Sequence, residues 1–409
     1  MINKIQTRTT WRKVKLQDIG KVITGTTPPT ERKDFFGENF PFITPTDILD
    51  FNIRYNYKTQ RFLSEKWKNR AEKILIPKDS VCFVCIGSTI GKICFTKENS
   101  FTNQQINTFV ADYDKSNPKY IYYLLKNNQG NIIKQYSGSG SGKAIINKST
   151  FENIELFIPE DVNEQRRIAG ILSVFDDKIE LNNKINQNLE QMAQAIFKKW
   201  FVEKSKFKNQ NSKIWTIGKI GDLVEIISGY PFSSKLYTVN KKALCVVTIK
   251  NVQDGSFVTE CDSFIEKESI PGNTNPECCI TDGDILLSLT GNVGRVCFVY
   301  GGQYLLNQRV AKLKPRDKRD FAFCYFLFRQ PSMRNYLINM AKGSAQPNLS
   351  PVETGKIQFL VPTRDTLDKF SDLAGPIYKK IVKNSEENQK LASLRDLLLP
   401  KLMSGEIKV

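Results

Sequence analysis

Three short strings in this sequence hold residue types that could do chemistry. The tract SGSGSGK, Ser137 to Lys143, sets glycines where backbone N–H groups could approach an anion and ends on a lysine, as a phosphate-binding loop does. The pattern GxxxxGK[ST] needs Gly where Ser137 stands and Ser or Thr where Ala144 stands, and the preceding IIKQYS is not a clean buried strand. The counterpart tract AKGSAQPN, after Met340, departs further. Ser141, Lys143, Lys342 and Ser344 are left as small polar and cationic groups that suit a DNA backbone or a turn equally. The second string is the C-x-x-C of Cys82 and Cys85, which lies in the apolar run VCFVCIG with no second such pair nearby. With no histidine in the chain, mixed Cys–His zinc sites are excluded, and burial as free thiols is the expectation. The third, NPEC at Asn275, lacks the second proline and the aromatic residue of the tetrad with which an amino-methyltransferase holds its target base.

The same absence of histidine rules out Ser-His-Asp and Cys-His catalysis. No clustered acids with a downstream Glu-x-Lys stand out as a metal-dependent nuclease would need, although such sites are degenerate. The expectation is a chain with no catalytic centre, metal or cofactor of its own.

Recognition chemistry is better represented. Sixty Lys and Arg against 42 Asp and Glu leave +18 over 409 residues, a surplus that attracts a polyanion through phosphate contacts and counterion release. A basic chain that is merely soluble is the alternative, since net charge bears on association and not on fold. Candidate base-reading groups occur at matching places in two halves of the chain. Thr44, Thr46 and Asp47 answer Thr248, Lys250 and Asn251; Ser88 and Lys92 answer Thr290, Asn292 and Arg295; Asn103, Gln104 and Gln105 answer Asn307, Gln308 and Arg309. Asn and Gln can pair with adenine edges and Arg with guanine. The Asn-Gln pairs would serve equally as buried strand-end residues bonding backbone.

The elements that must position these groups are written twice. WRKVKLQDIGKVITG from Trp11 matches WTIGKIGDLVEIISG from Trp215, which aligns Leu16 with Ile220, Asp18 with Asp222 and Gly25 with Gly229. At nearly the same offset STIGKICF matches GNVGRVCF, aligning Gly91 with Gly294 and Lys92 with Arg295, and Pro159 falls on Pro362. So many coincidences at one offset mean a duplication. Each copy opens on short β-branched and aromatic runs broken by Gly, Pro, Asn and Asp, which read as strands and turns with a few helices. Each ends in a long helix, the first on the order of 55 Å at the α-helical rise.

The first helix carries a seam through Phe175, Ile179, Asn182, Asn186, Leu189, Ala193, Ile196 and Trp200. The second repeats it at Ile377, Ile381, Asn384, Asn388, Leu391, Leu398 and Leu402, with Arg395 interrupting. Steps of four and three are a coiled-coil rhythm, and a seam Asn costs stability unless it meets a polar partner. The matching positions Ile179, Asn182, Asn186 and Leu189 are therefore expected to pair with Ile381, Asn384, Asn388 and Leu391. The predicted architecture is α+β: two similar globular domains separated by two long helices that form an antiparallel coiled coil, with pseudo-twofold symmetry. The alternative is that each helix packs on its own domain and its asparagines are solvated.

Composition sets the outer limits. The length suits two or three domains, and 40% hydrophobic residues with 11% aromatics can fill separate cores. The opening MINKIQTRTTWRKV has no signal-peptide core, and no run of about 18 apolar residues occurs, so no membrane span and a cytoplasmic location are expected. Nine scattered cysteines read as reduced thiols.

Over essentially its whole length the sequence resembles the specificity subunits of type I restriction-modification systems. The resemblance is carried by NEQRRIAGILSVFDDKIELNNKINQNLEQMAQAIFKKWF from Asn163, KIGDLVEIISGYPF from Lys219 and LRDLLLPKLMSGEI from Leu394. It implies target-recognition domains at 1–160 and 206–364, each reading half of a bipartite, asymmetric site on double-stranded DNA. Spacer helices follow at 161–205 and, with the tail, at 365–409. It further implies docking of two methyltransferase subunits, with motor-nuclease subunits as additional partners; S-adenosylmethionine and ATP chemistry then belong to those partners. One departure is that the Glu164-Gln165 opening of the first helix has no equivalent in RDTLDKF from Arg364. A self-contained fused enzyme and a sequence-independent nucleic-acid-binding protein are the competing readings.

Overall fold

Each copy of the repeat begins and ends on strands that pair with each other. In the first, Trp11–Lys15 runs antiparallel to Glu155–Pro159, with Trp11 opposite Pro159 and Lys15 opposite Glu155. In the second, Thr216–Lys219 pairs in the same way with Gln358–Val361. The computed structural model describes residues 10–48, 54–55, 59–136, 145–203, 215–341 and 347–409. The chain divides into one unit of Met1–Glu180 with Lys390–Val409 and a second of Leu181–Gln389. Both long helices, Val162–Phe197 and Arg364–Met403, contribute a segment to each unit.

Inside the first unit a four-stranded antiparallel sheet runs in the order Gly20–Thr24, Ile106–Ala111, Val81–Val84, Ile93–Phe95. The strand VCFV at Val81–Val84 is buried throughout, as an uninterrupted apolar run requires. A smaller sheet joins Phe62–Leu63, Phe36–Ile43 and Phe101–Thr102, the last pair being parallel. The helix Pro118–Tyr136 closes the core with Tyr120, Ile121, Tyr122, Leu124 and Leu125, and Tyr122 stacks on Phe95 at 4.9 Å.

The second unit repeats this plan. Val224–Ser228, Val310–Pro315, Ile285–Ser288 and Val296–Phe298 form the matching antiparallel sheet in the matching order. Phe264–Ile265, Leu244–Val247, Tyr304–Leu306 and Cys279–Ile280 form the companion sheet. Tyr325 of the helix Phe321–Phe328 packs on Phe298 at 5.6 Å, the counterpart of the Tyr122–Phe95 contact. Two glycine pairs aligned in sequence share a local reason. A Cβ at Gly25 would run into the Thr102 carbonyl, and one at Gly229 into the carbonyls of Leu306 and Asn307. Gly91 and Gly294 both turn the chain at positive φ, +95° and +80°.

Within the second unit the two helix segments meet along their asparagines. Asn182 donates to Asn388 Oδ1 and to Glu387 Oε2, each at 2.9 Å, and Asn384 donates to Asn186 Oδ1 at 2.8 Å. Asn388 donates to Asn183 Oδ1 at 2.8 Å, and Asn186 reaches Ile381 O and Ser385 Oγ at 3.4 Å. Rising numbers on one segment meet falling numbers on the other, so here the two run antiparallel. Asn182 and Asn384 are almost fully buried, Ile381 is buried and Leu189 packs on the adjoining core. In the first unit Ile179 is buried and Leu391 half-buried.

Arg395, the charge that interrupts the seam, is fully buried in the first unit. Its Nη1 donates to Asp176 Oδ1 at 2.5 Å, and the other Asp176 oxygen accepts from the Tyr123 hydroxyl at 2.5 Å. A second arginine, Arg54, bonds Asp177 and Glu180 of the same helix while stacking on Tyr55.

Candidate nucleic-acid interface

The paired polar positions lie in turns at one end of the main sheet of each unit. In the first unit three turns converge. Asn103 N–H donates to Ile43 O, Cys85 N–H to Gln105 O, and the Lys92 ammonium to Ile48 O at 2.7 Å. The Thr44–Asp47 turn, the Ser88–Lys92 turn and the Asn103–Gln105 turn are thereby tied side by side. In the second unit Asn307 N–H donates to Val247 O and Leu289 N–H to Arg309 O, which joins the corresponding three turns.

Within these turns the side chains divide by task. Thr44 is buried and donates both its N–H and its hydroxyl to Asp47 Oδ2, at 2.8 and 2.6 Å; Asp47 Oδ1 accepts from Gln60 N–H. Thr248 repeats the arrangement with Asn251, whose amide also donates to Val258 O and Glu260 O at 2.8 Å. Asn103 is buried against Gln105, and Asn307 accepts from Arg309 N–H at 3.2 Å. These groups hold the turns in shape: Asp47 and Asn251 accept from the threonine three residues before them, and Asn103 and Asn307 accept from the backbone N–H two residues after them.

What remains exposed differs between the units. Thr46, Ser88 and Gln104 face solvent in the first, with Gln104 Oε1 accepting from Thr27 at 2.7 Å. Lys250, Asn292, Gln308 and Arg309 face solvent in the second, with Lys250 paired to Asp262 at 2.6 Å. Lys92 and Arg295 are half-buried, and Arg295 Nη1 donates to Gln253 Oε1 at 2.5 Å. Thr290 is half-buried and bridges to Asn348. Ser141, Lys143, Lys342 and Ser344 lie outside the described residues.

Three features were not legible beforehand. Arg329 ties Glu190 of the first long helix to Asp254, both at 2.9 Å. Lys312, mostly buried, bridges Glu277 at 2.8 Å and Asp284 at 3.0 Å, and its hydrogen bond together with that of Lys314 holds the Glu277 carboxyl down to about 2. Cys245 and Cys261, 16 residues apart in sequence, lie side by side with Cα atoms 5.8 Å apart. Only a loop that folds back, here through the Asn251 bonds to 258 and 260, could bring them together. By contrast, the C-x-x-C thiols belong to different cores, and burial pushes the Cys85 thiol up to about 12. Among the described residues no group of three or more Cys, Asp or Glu is placed to hold a metal ion, and no helix is long and apolar enough to cross a membrane.

The model of the type I restriction modification DNA specificity domain matches this chain twice, over residues 8–191 and 212–364. The specificity subunit of the type I restriction enzyme MjaIX of Methanocaldococcus jannaschii is 28% identical, over 98% of this chain and 94% of that protein. The HindI specificity subunit of Haemophilus influenzae is 25% identical, over 97% and 99%. In fold the chain is similar to the crystal structure of a type I restriction-modification S subunit from M. genitalium, with a TM-score of 0.56 over 98% of each chain at 18% identity.

Proposed function

This chain belongs to the type I restriction modification DNA specificity family, and from that premise we propose that it reads a bipartite, asymmetric site on double-stranded DNA. In this reading the domains at 1–160 and 206–364 each recognise one half-site, and the helices at 161–205 and 365–409 act as spacer and as docking surface for two methyltransferase subunits. Motor-nuclease subunits join through them, and methylation and cleavage belong to the partners.

The observation that carries the reading is a duplicated frame with different tips. The same three turns are tied together in each unit by equivalent backbone bonds, yet Thr46, Ser88 and Gln104 stand where Lys250, Asn292 and Gln308-Arg309 stand in the other copy. A duplicated frame with unlike exposed donors and acceptors suits two different half-sites, since base edges are told apart by donor and acceptor pattern. The net charge of +18 supplies the sequence-independent part of the affinity. For the docking role, each unit leaves apolar side chains in solvent on its helix segments: Ile171, Val174, Leu394 and Leu397 in the first, Leu181, Met192 and Leu373 in the second. Runs of exposed apolar groups on otherwise polar helices are what a protein partner covers.

The test is to map methylated adenines in a genome with and without this gene, and to assay the purified chain with and without its modification partner. A two-part methylated motif that disappears with the gene, and no methylation by the chain alone, is the expected result. Replacing 215–360 with a relative's second domain should change one half of the motif only. Methylation by the chain alone would restore the fused-enzyme reading, and binding indifferent to sequence in the presence of the partner would favour the non-specific one.

A further inference from the structure

After the Gly229 close approach, the chain from Ser233 to Lys242 runs outside the core of the second unit. Val239 at its tip is 97% exposed, and Tyr237, Lys235, Lys241 and Lys242 are exposed around it. The segment is nonetheless held. Thr238 N–H donates to Phe264 O at 2.9 Å in an antiparallel bridge, and Asn240 donates through its amide to Glu266 at 2.8 Å. Asn240 N–H reaches Thr238 Oγ1 at 3.2 Å, and Asn240 Oδ1 accepts from Lys242 N–H at 3.0 Å. Val239 therefore sits between two anchored residues with its side chain in solvent.

A single exposed valine needs no explanation. A β-branched apolar side chain held outward among three lysines, none of them ion-paired among the described residues, is a more specific arrangement. Its cations match phosphates, and its apolar tip matches a thymine methyl or the space between base steps, as wedge residues of other DNA-binding proteins do. A duplex carries phosphates at close, regular intervals along both strands, so all three ammonium groups can be matched at once. The matching stretch of the first unit is built otherwise: there Asp34 neutralises both Arg32, at 2.9 Å, and Lys66, at 2.6 Å.

We propose that Ser233–Lys242 is a DNA-contacting loop of the second unit, with Lys235, Lys241 and Lys242 on the phosphates and Val239 as an apolar probe in the groove. The proposal rests on the reading of the chain as a DNA specificity subunit, and it makes the two units approach the duplex by different means.

The test uses the full chain with its modification partner and a duplex carrying the methylated motif mapped above. In a salt titration, a Lys235→Ala/Lys241→Ala/Lys242→Ala variant should lose about two to three from the magnitude of the log–log slope, which changes by about 0.9 per phosphate contact. Lys78→Ala/Lys115→Ala/Lys119→Ala, an equal change of charge at the end of the first unit's main sheet remote from its turns, should keep the parent slope. Val239→Ser should weaken binding to the motif about ten-fold while leaving a scrambled duplex unaffected, the scale of one lost base contact; at this exposure it should melt like the parent. Equal slopes for the two triple variants, or undiminished discrimination in Val239→Ser, would overturn the proposal. Normal DNA binding with lost assembly of the modification partner would also overturn it, in favour of a protein-binding loop. If the parent itself fails to prefer the motif duplex, the specificity reading falls and the loop proposal with it.

Discussion

The two units fix a long helix to their sheet-bearing domain at equivalent positions with opposite chemistry. Along the helix repeat that aligns Asn182 with Asn384, Asp176 corresponds to Tyr378 and Arg395 to Ala193. In the first unit Asp176 and Arg395 form an ion pair with neither side chain reaching solvent, and Tyr123 completes it. In the second unit Tyr378 lies in an aromatic cluster with Phe298 and Tyr325, and Ala193 is buried beside it in the same core. Tyr123 itself corresponds to Phe326, so the hydroxyl is present only where a carboxylate needs it. One frame thus tolerates a charged solution and an apolar one, provided all the members of each change together. A buried pair is weak evidence of added stability, because an apolar replacement of similar volume is often neutral or better. What the charged version adds is selectivity, since beside a helix face without a carboxylate the buried Arg395 would keep only its own half-exposed neighbour Asp396.

The largest effect is expected from halving the ion pair. Asp176→Ala removes the buried one of Arg395's two carboxylates and leaves it only the half-exposed Asp396, at 2.8 Å; it should cost about 3 kcal/mol, seen in urea unfolding and as lost amide-exchange protection in peptides of the first unit. Next comes the transplant. Asp176→Tyr with Arg395→Ala and Tyr123→Phe copies the second unit's solution and should return stability to within about 2 kcal/mol of the parent. A transplant as damaging as the single change would show that the two frames are not equivalent. Tyr378→Phe, which removes a hydrogen bond of 2.5 Å to Gly283 O, should cost about 1 kcal/mol, visible only in second-unit peptides.

The smallest effect concerns acid. The Glu277 carboxyl is held at about 2 against its ordinary 4.5, so it contributes stability that is complete above pH 4.5 and lost as pH falls toward 2. Glu277→Gln should flatten the second unit's acid unfolding in that window and leave its pH dependence near neutrality unchanged.

These contrasts mark how far the sequence could be read. The duplication was visible because it is a one-dimensional property, and the helix asparagines because a seam repeats along a single element. Arg395 was visible only as an interruption. Its partner Asp176 lies on another helix and Tyr123 on a third element, and no local pattern links them. The polar turns were found as places. Their inner order was hidden, because Thr44 and Asn251 look as free as Thr46 and Lys250 until the backbone curls each toward a turn acceptor or into solvent. The approach of Cys245 to Cys261 and the anchored tip at Val239 depend likewise on chain returning from a distance, through residues 258–266.

The pairing of Trp11–Lys15 with Glu155–Pro159, and of Thr216–Lys219 with Gln358–Val361, has a consequence for inheritance. A segment whose two ends are stitched residue to residue has both of its joints at one place on the folded chain. Recombination between genes that crosses over within those two short strands would therefore exchange a whole folded segment while cutting the backbone at a single ladder of hydrogen bonds. Those bonds are indifferent to side-chain identity. The long helices would keep their contacts with each other, while the incoming segment would have to supply afresh what Tyr123 gives Asp176 and Arg329 gives Glu190.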